Sequence, residues 1–145
     1  MEMKLDMLLS GSSVLDKIYT TANTEKIVGG ENIVINNIRA VELLSIRDII
    51  DILTPHVESY NDINTKIIKK YADVDEDGEV IKKRTDMGDA YTISDANRKK
   101  YNNELVEVLK TTKDINFKPL SRNIINNINN INGIELNALM LFIES

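Results

Sequence analysis

A chain of 145 residues with 18 Lys+Arg against 23 Asp+Glu, a formal net charge of -5, is long enough for one hydrophobic core and too short for two independent ones. The two signs are interspersed without a basic block, which argues against nucleic acid as a main partner, because a duplex is bound by a cationic face that displaces counterions. The chain has no Cys, so it carries no disulfide framework, thiolate nucleophile or Cys-based zinc site; with no Trp and 5% aromatics, an aromatic-rich recognition surface is not expected either.

The first eleven residues hold an apolar patch interrupted by Asp6, far shorter than a signal-peptide core or a membrane span, so neither export by a signal peptide nor membrane association is expected. Residues 5–19 predict a first short helix with Leu8, Leu9, Val14, Leu15 and Ile18 apolar. Gly11-Ser12-Ser13 interrupts it, and Ser13 is placed to cap a helix from Val14. Residues 20–37 read as a loop with a turn at Gly29-Gly30 and a β-branched run, Ile33-Val34-Ile35, suited to a strand. Gly29-Gly30 lacks the glycine spacing and the Lys-Ser/Thr of a nucleotide cradle.

The longest signal covers residues 45–109. Ile46, Ile49, Ile50, Leu53, Val57, Tyr60, Ile63, Ile67 and Tyr71 recur at three- and four-residue steps, one continuous stripe on a helix that must be buried. Thr54-Pro55 falls inside it. The stretch is either one kinked helix or a helix ending near Leu53 followed by another capped by Thr54, and the second arrangement is favoured. His56 stands alone, with no Cys or second His, and reads as structural. Lys66, Lys69 and Lys70, and likewise Arg98, Lys99 and Lys100, read as solvated helix faces.

Asp73, Asp75, Asp77 and Gly78 match the first positions of a calcium-binding loop, but the closing position holds Arg84 in place of a bidentate Glu. The competing reading is a hairpin in which Asp77-Gly78 supplies positive backbone angles and joins residues 73–75 to 79–83. Ser94 is then the expected cap of a second helix ending near Leu109, with Asp95 against its dipole and Lys110 and Lys113 at the opposite pole. Its apolar Tyr101, Leu105, Val108 and Leu109 are expected to cover the long stripe. Glu104 and Glu107, one turn apart, read as surface charges, since no histidine or nucleophile accompanies them.

Residues 114–120 alternate apolar and polar, and Pro119 makes them an edge strand that would pair with residues 79–83 or 91–93. Residues 121–132 space Ile124, Ile125, Ile128 and Ile131 at helical intervals, with Gly133 as terminator. The tail carries a compact apolar helix, with Leu136, Leu139, Met140 and Ile143 placed to dock in the core or onto a neighbouring subunit.

This order of features resembles a family of small, poorly characterised bacteriophage proteins. The features are an amphipathic helix ending Ile67-Ile68-Lys69-Lys70-Tyr71, the turn Asp75-Glu76-Asp77-Gly78-Glu79, the helix with Tyr101-Asn102-Asn103-Glu104-Leu105, the strand Ile115-Asn116-Phe117, and the closing run from Ile134 to Glu144. The likeness covers residues 40–145. The N-terminal third, with Gly29-Gly30 and Ile33-Val34-Ile35, departs from the simpler helical start of such proteins. The resemblance implies a phage source, no established enzymatic activity and no catalytic residues.

The expectation is therefore an α+β fold, mainly helical, with an antiparallel helix pair, a small β-hairpin or sheet and a C-terminal helix. Residues 1–145 would form a single domain, with an N-terminal segment 1–37 and a helical core 38–145. No catalytic, cofactor or metal site is expected. The expected role is a structural or assembly protein of the virion, in the head, connector or tail, present in the host cytoplasm during assembly. Its partners would be other phage structural proteins or further copies of itself, singly or in a ring, reached through Ile115, Phe117, Leu120, Leu136, Leu139, Met140, Phe142 and Ile143. The alternative is an accessory protein that binds a host factor or small signalling molecule.

Overall fold

The computed structural model describes residues 1–22 and 38–145, together with the backbone of the strand Val34–Ile35. Gly29-Gly30 and Ile33 lie outside the described residues. In chain order the elements are β1 (Glu2–Lys4), α1 (Leu5–Ala22), β2 (Val34–Ile35), α2 (Ala40–Tyr71), β3 (Lys82–Thr85), β4 (Gly88–Tyr91), α3 (Asp95–Leu109), β5 (Thr112–Asp114), a short 3-10 helix (Arg122–Asn127), β6 (Ile128–Asn129) and α4 (Gly133–Met140). The fold is α+β and mainly helical, as the periodicities required. The chain divides into two compact units, Met1–Val57 with Thr112–Ser145, and Glu58–Thr111. Helix α2 contributes its first half to one and its second half to the other.

The first unit holds most of the core. Leu5, Leu8, Val14, Leu15 and Ile18 of α1 are buried, as are Ile46, Ile49, Ile50 and Leu53 of α2. Gly11-Ser12-Ser13 does not interrupt α1, and Ser13 caps nothing. The helix continues because Gly11 is itself buried: a Cβ there would lie 2.7 Å from Cζ of Phe142 and closer still to its Cε2. Tertiary packing overrides the low helix propensity of these three residues. Arg47 of α2 stacks over the ring of Tyr19 on α1, 5.5 Å from its centroid.

Helix α2 is also continuous, against the favoured reading of a break at Thr54. Pro55 sits within it on an exposed face, where its ring meets solvent, and the Thr54 hydroxyl turns back to the Ile50 carbonyl at 2.8 Å. Packing on both sides of the proline keeps the axis helical despite the lost amide.

Residues 114–120 do not pair with 79–83 or 91–93. β5 pairs antiparallel with β1, with Met3 opposite Lys113, and the ladder extends through the Ile115 amide, which donates to the Met1 carbonyl at 2.8 Å. Further on, Leu120 forms a parallel bridge with Ile143: its amide donates to the Phe142 carbonyl and its own carbonyl accepts from the Glu144 amide. β2 pairs with β6, Ile35 opposite Ile128. The predicted helix over 121–132 is a single 3-10 segment, capped by the Ser121 hydroxyl, followed by β6 and by Asn130 at positive φ. The run of Asn, whose side chains compete for backbone partners, accounts for the early end. Gly133 begins α4 and does not terminate anything. Asn132 caps that helix, accepting from the Glu135 amide at 2.8 Å while the Glu135 carboxylate accepts from the Asn132 amide. The same Glu135 forms an ion pair with Lys17 at 3.0 Å, tying α4 to α1.

The second unit is built differently. Among its residues only Ile67 and Ala72 reach the fully buried class of apolar side chains, and α3 has no buried residue at all. The two helical segments are joined by polar contacts. Tyr101 donates to Asn64 at 2.8 Å, and Asn97, four residues earlier on α3, donates to the Tyr71 carbonyl at 3.3 Å, seven residues later on α2. That opposite order makes the pair antiparallel, as expected. The long stripe is therefore divided: α3 faces only its second half, and the first half belongs to the core around α1 and Phe142.

Candidate interaction surface

Between α2 and α3, residues 73–94 form an excursion of β structure fastened at one point. The Asp73 amide donates to the Thr92 carbonyl at 2.7 Å, its carbonyl accepts from the Ile81 amide at 2.8 Å, and its Oδ1 accepts from the Ser94 amide at 3.2 Å. One residue thus clasps the start, middle and end of the excursion. Asp73 is the residue that the calcium-loop reading put in its first ligand position.

Within the excursion, Asp75 and Glu79 close a three-residue loop. The Asp75 amide donates to the Glu79 carbonyl at 2.8 Å, and the Gly78 amide donates to the Asp75 carbonyl at 3.0 Å. Gly78 alone takes positive φ, +81°, so this is a turn ending in a left-handed glycine, in which Asp77 keeps ordinary angles. The Asp75 carboxylate accepts from the amides of Asp77 and Glu79 through Oδ1, at 3.0 and 2.9 Å. This is the local capture of backbone amides typical of Asp in turns. The flanking strand signal reduces to a single bridge, Val74 to Val80. Among the described residues, no three His, Cys, Asp or Glu side chains gather in a way that could hold a metal ion.

β3 and β4 then form a two-stranded ribbon in which Lys82 faces Tyr91, Lys83 faces Ala90, Arg84 faces Asp89 and Thr85 faces Gly88. Its loop is Asp86-Met87, with Gly88 at φ +109° and the Thr85 hydroxyl bridging to the Gly88 carbonyl at 2.7 Å. The turn signal was present in Asp86-Met87-Gly88, but three successive cations hide the alternation by which strands are recognised. Every ribbon residue except Tyr91 is exposed, and Met87 at the tip is 99% exposed.

At the root of the excursion lies the second unit's polar centre. Tyr71 donates to Glu104 Oε2 at 2.5 Å, and Lys70 reaches both carboxylate oxygens at 3.1 Å. The hydrogen bond from Tyr71, followed by that from Lys70, holds the Glu104 carboxyl below the usual carboxylate range. The bond to Glu104 in turn raises both Lys70 and Tyr71. Nearby, burial, followed by the proximity of Tyr101, pushes the Tyr60 phenol up. Glu107 takes no part in this cluster and stays exposed. Glu104, read from sequence as a surface charge, is thus an anchor between the two helical segments.

The residues expected to meet partners lie elsewhere. Ile115, Leu120, Leu139, Phe142 and Ile143 are buried in the first unit's own core. Phe142 packs against Phe117 with ring centroids 5.3 Å apart. These five are corrected from interface to core: the tail docks in its own chain. Phe117 and Leu136 are half-buried, and Met140 is exposed. The exposed large apolar side chains of the first unit include Met7, Val41, Leu44 and Ile134. Met7 and Ile134 line a shallow hollow of about 230 Å³ between α1 and α4, with Ser10, Ala138 and Leu141.

No protein-family model, curated protein or solved structure matches this chain. No helix among the described residues is long and apolar enough to cross a membrane.

Proposed function

We propose that this chain is a structural or assembly protein of a bacteriophage particle, acting through protein–protein contacts in the head, connector or tail. The observation that carries the reading is the excursion over residues 73–94. A solvent-exposed two-stranded ribbon with a methionine at its tip is marginal by itself in water, and it gains stability when a neighbouring chain covers it. The exposed Val41, Leu44 and Ile134 of the first unit offer further apolar area to neighbours. The resemblance to small phage proteins supplies the setting, and the chemistry of this surface supports contact with protein.

The test is peptide mass spectrometry of purified particles from the phage that encodes this chain. Recovery at a stoichiometry comparable with ring or tail components supports the reading. Abundance in infected cells with absence from particles overturns the structural role and points to an accessory protein that binds a host factor.

A further inference from the structure

We propose that two copies of this chain pair through the excursion, the cationic strand β3 of each lying against the acidic turn of the other. Strand β3 carries Lys82, Lys83 and Arg84 in succession, and none of them forms an ion pair; Arg84 stands opposite Asp89 in the register without one. The turn before it carries Asp75, Glu76, Asp77 and Glu79, likewise without a cationic partner. A chain of net charge -5 therefore displays one unpaired cationic strip and one unpaired anionic loop, side by side on the same unit.

Three observations select a second copy as the occupant. The charges required on the partner are those this chain itself displays, so the two surfaces are complementary across copies. Adding ribbon to ribbon along β3 would bring three cations against three cations, which opposes that arrangement and leaves the acidic loop as the favourable mate. The second unit buries few apolar side chains of its own, while Val74, Ile81 and Met87 stand exposed among the charges. Pairing would remove that apolar surface from water. Because each copy offers both surfaces, a two-fold axis forms the contact twice: strip on loop and loop on strip.

The contact stands independently of the particle reading, since a chain that pairs in solution and is missing from particles keeps the one and loses the other. The experiment uses the full chain, with molar mass measured by light scattering and sedimentation at low and high salt. One variant carries Lys82→Glu, Lys83→Glu and Arg84→Glu; the second carries Glu76→Lys, Asp77→Lys and Glu79→Lys, with Asp75 kept because it builds the turn. The wild type is expected to run at twice the monomer mass and to dissociate about tenfold more readily when ionic strength rises from about 0.05 to about 0.5 M. Each variant alone is expected to be monomeric with an unchanged helical circular dichroism spectrum. Mixed one to one, the two variants are expected to pair again, since each restores both complementary contacts. A monomeric wild type up to millimolar concentration overturns the proposal, as does a mixture that stays monomeric. So does a cationic strand that binds a fluorescent oligonucleotide while the chain stays single.

Discussion

The ring of Phe142 fills the space that a side chain at position 11 would occupy. Gly11 lies in the middle of α1, where glycine costs about 0.5–1 kcal/mol relative to alanine. Helix propensity alone therefore favours Gly11→Ala. The contact reverses the sign, because Phe142 is fully buried and its ring, held against Phe117, has nowhere to retreat. Gly11→Ala is expected to lose about 1–3 kcal/mol in urea unfolding, the range for overpacking a filled core. Combined with Phe142→Leu, the loss is expected to shrink, which a double-mutant cycle would measure.

A second prediction concerns acid. The carboxyl of Glu104 is held low by the Tyr71 and Lys70 hydrogen bonds, so its contribution to stability is present above the unfolded carboxylate value of about 4.3 and disappears as pH falls through the lower folded value. Lys70 and Tyr71 are raised, so their contribution holds below about pH 10 and is lost as pH climbs through their folded values. Glu104→Gln is expected to loosen the second unit at neutral pH and to flatten its acid response. Four of the five tyrosines, Tyr60, Tyr71, Tyr91 and Tyr101, belong to that unit, so near-ultraviolet circular dichroism reports on it almost alone. An unchanged acid midpoint in the variant would remove Glu104 from this role.

Pro55 gives the third. It lies exposed inside α2 and removes an amide that would bond to the Asp51 carbonyl. Pro55→Ala restores that bond and the ordinary helix propensity, and is expected to stabilise the chain by about 1–3 kcal/mol, read from the thermal midpoint.

The fourth concerns the cap of α4. Asn132→Ala removes the acceptor for the Glu135 amide and frees Glu135 from the reciprocal bond. A loss of about 1 kcal/mol is expected. Because Glu135 also pairs with Lys17, the variant should weaken the tie between α4 and α1 as well. Hydrogen exchange in both helices would show it.

Helices with long apolar periods were legible from sequence. The stripe from Ile46 to Tyr71, the return helix to Leu109 and the tail helix all follow from spacing that only a helix puts on one face. What sequence could not settle was what each stripe meets. Gly11-Ser12-Ser13 and Pro55 read as breaks because local propensity is all that a single chain displays, whereas the burial of Gly11 under Phe142 is a contact across more than a hundred residues. β5 finds β1 at the other end of the chain, and a three-residue strand carries too little pattern to name its partner. The ribbon of β3 and β4 was hidden for the opposite reason: with both faces exposed it has no apolar alternation to read. Glu104 looked like a surface charge because its partners, Lys70 and Tyr71, lie more than thirty residues away.

The position of Pro55 has one more consequence. The missing amide bond falls two residues before the point at which α2 passes from one compact unit to the other, after Val57. A helix that unzips from its Tyr71 end meets, at that step, a rung already absent, so the melting front can halt there without dragging the preceding turns with it. The proline works as a firebreak: residues 58–111 can open and reclose as a block while Ile46, Ile49 and Leu53 stay packed. The half of the protein that offers its surface to others can thereby rearrange at low cost to the half that keeps the chain folded.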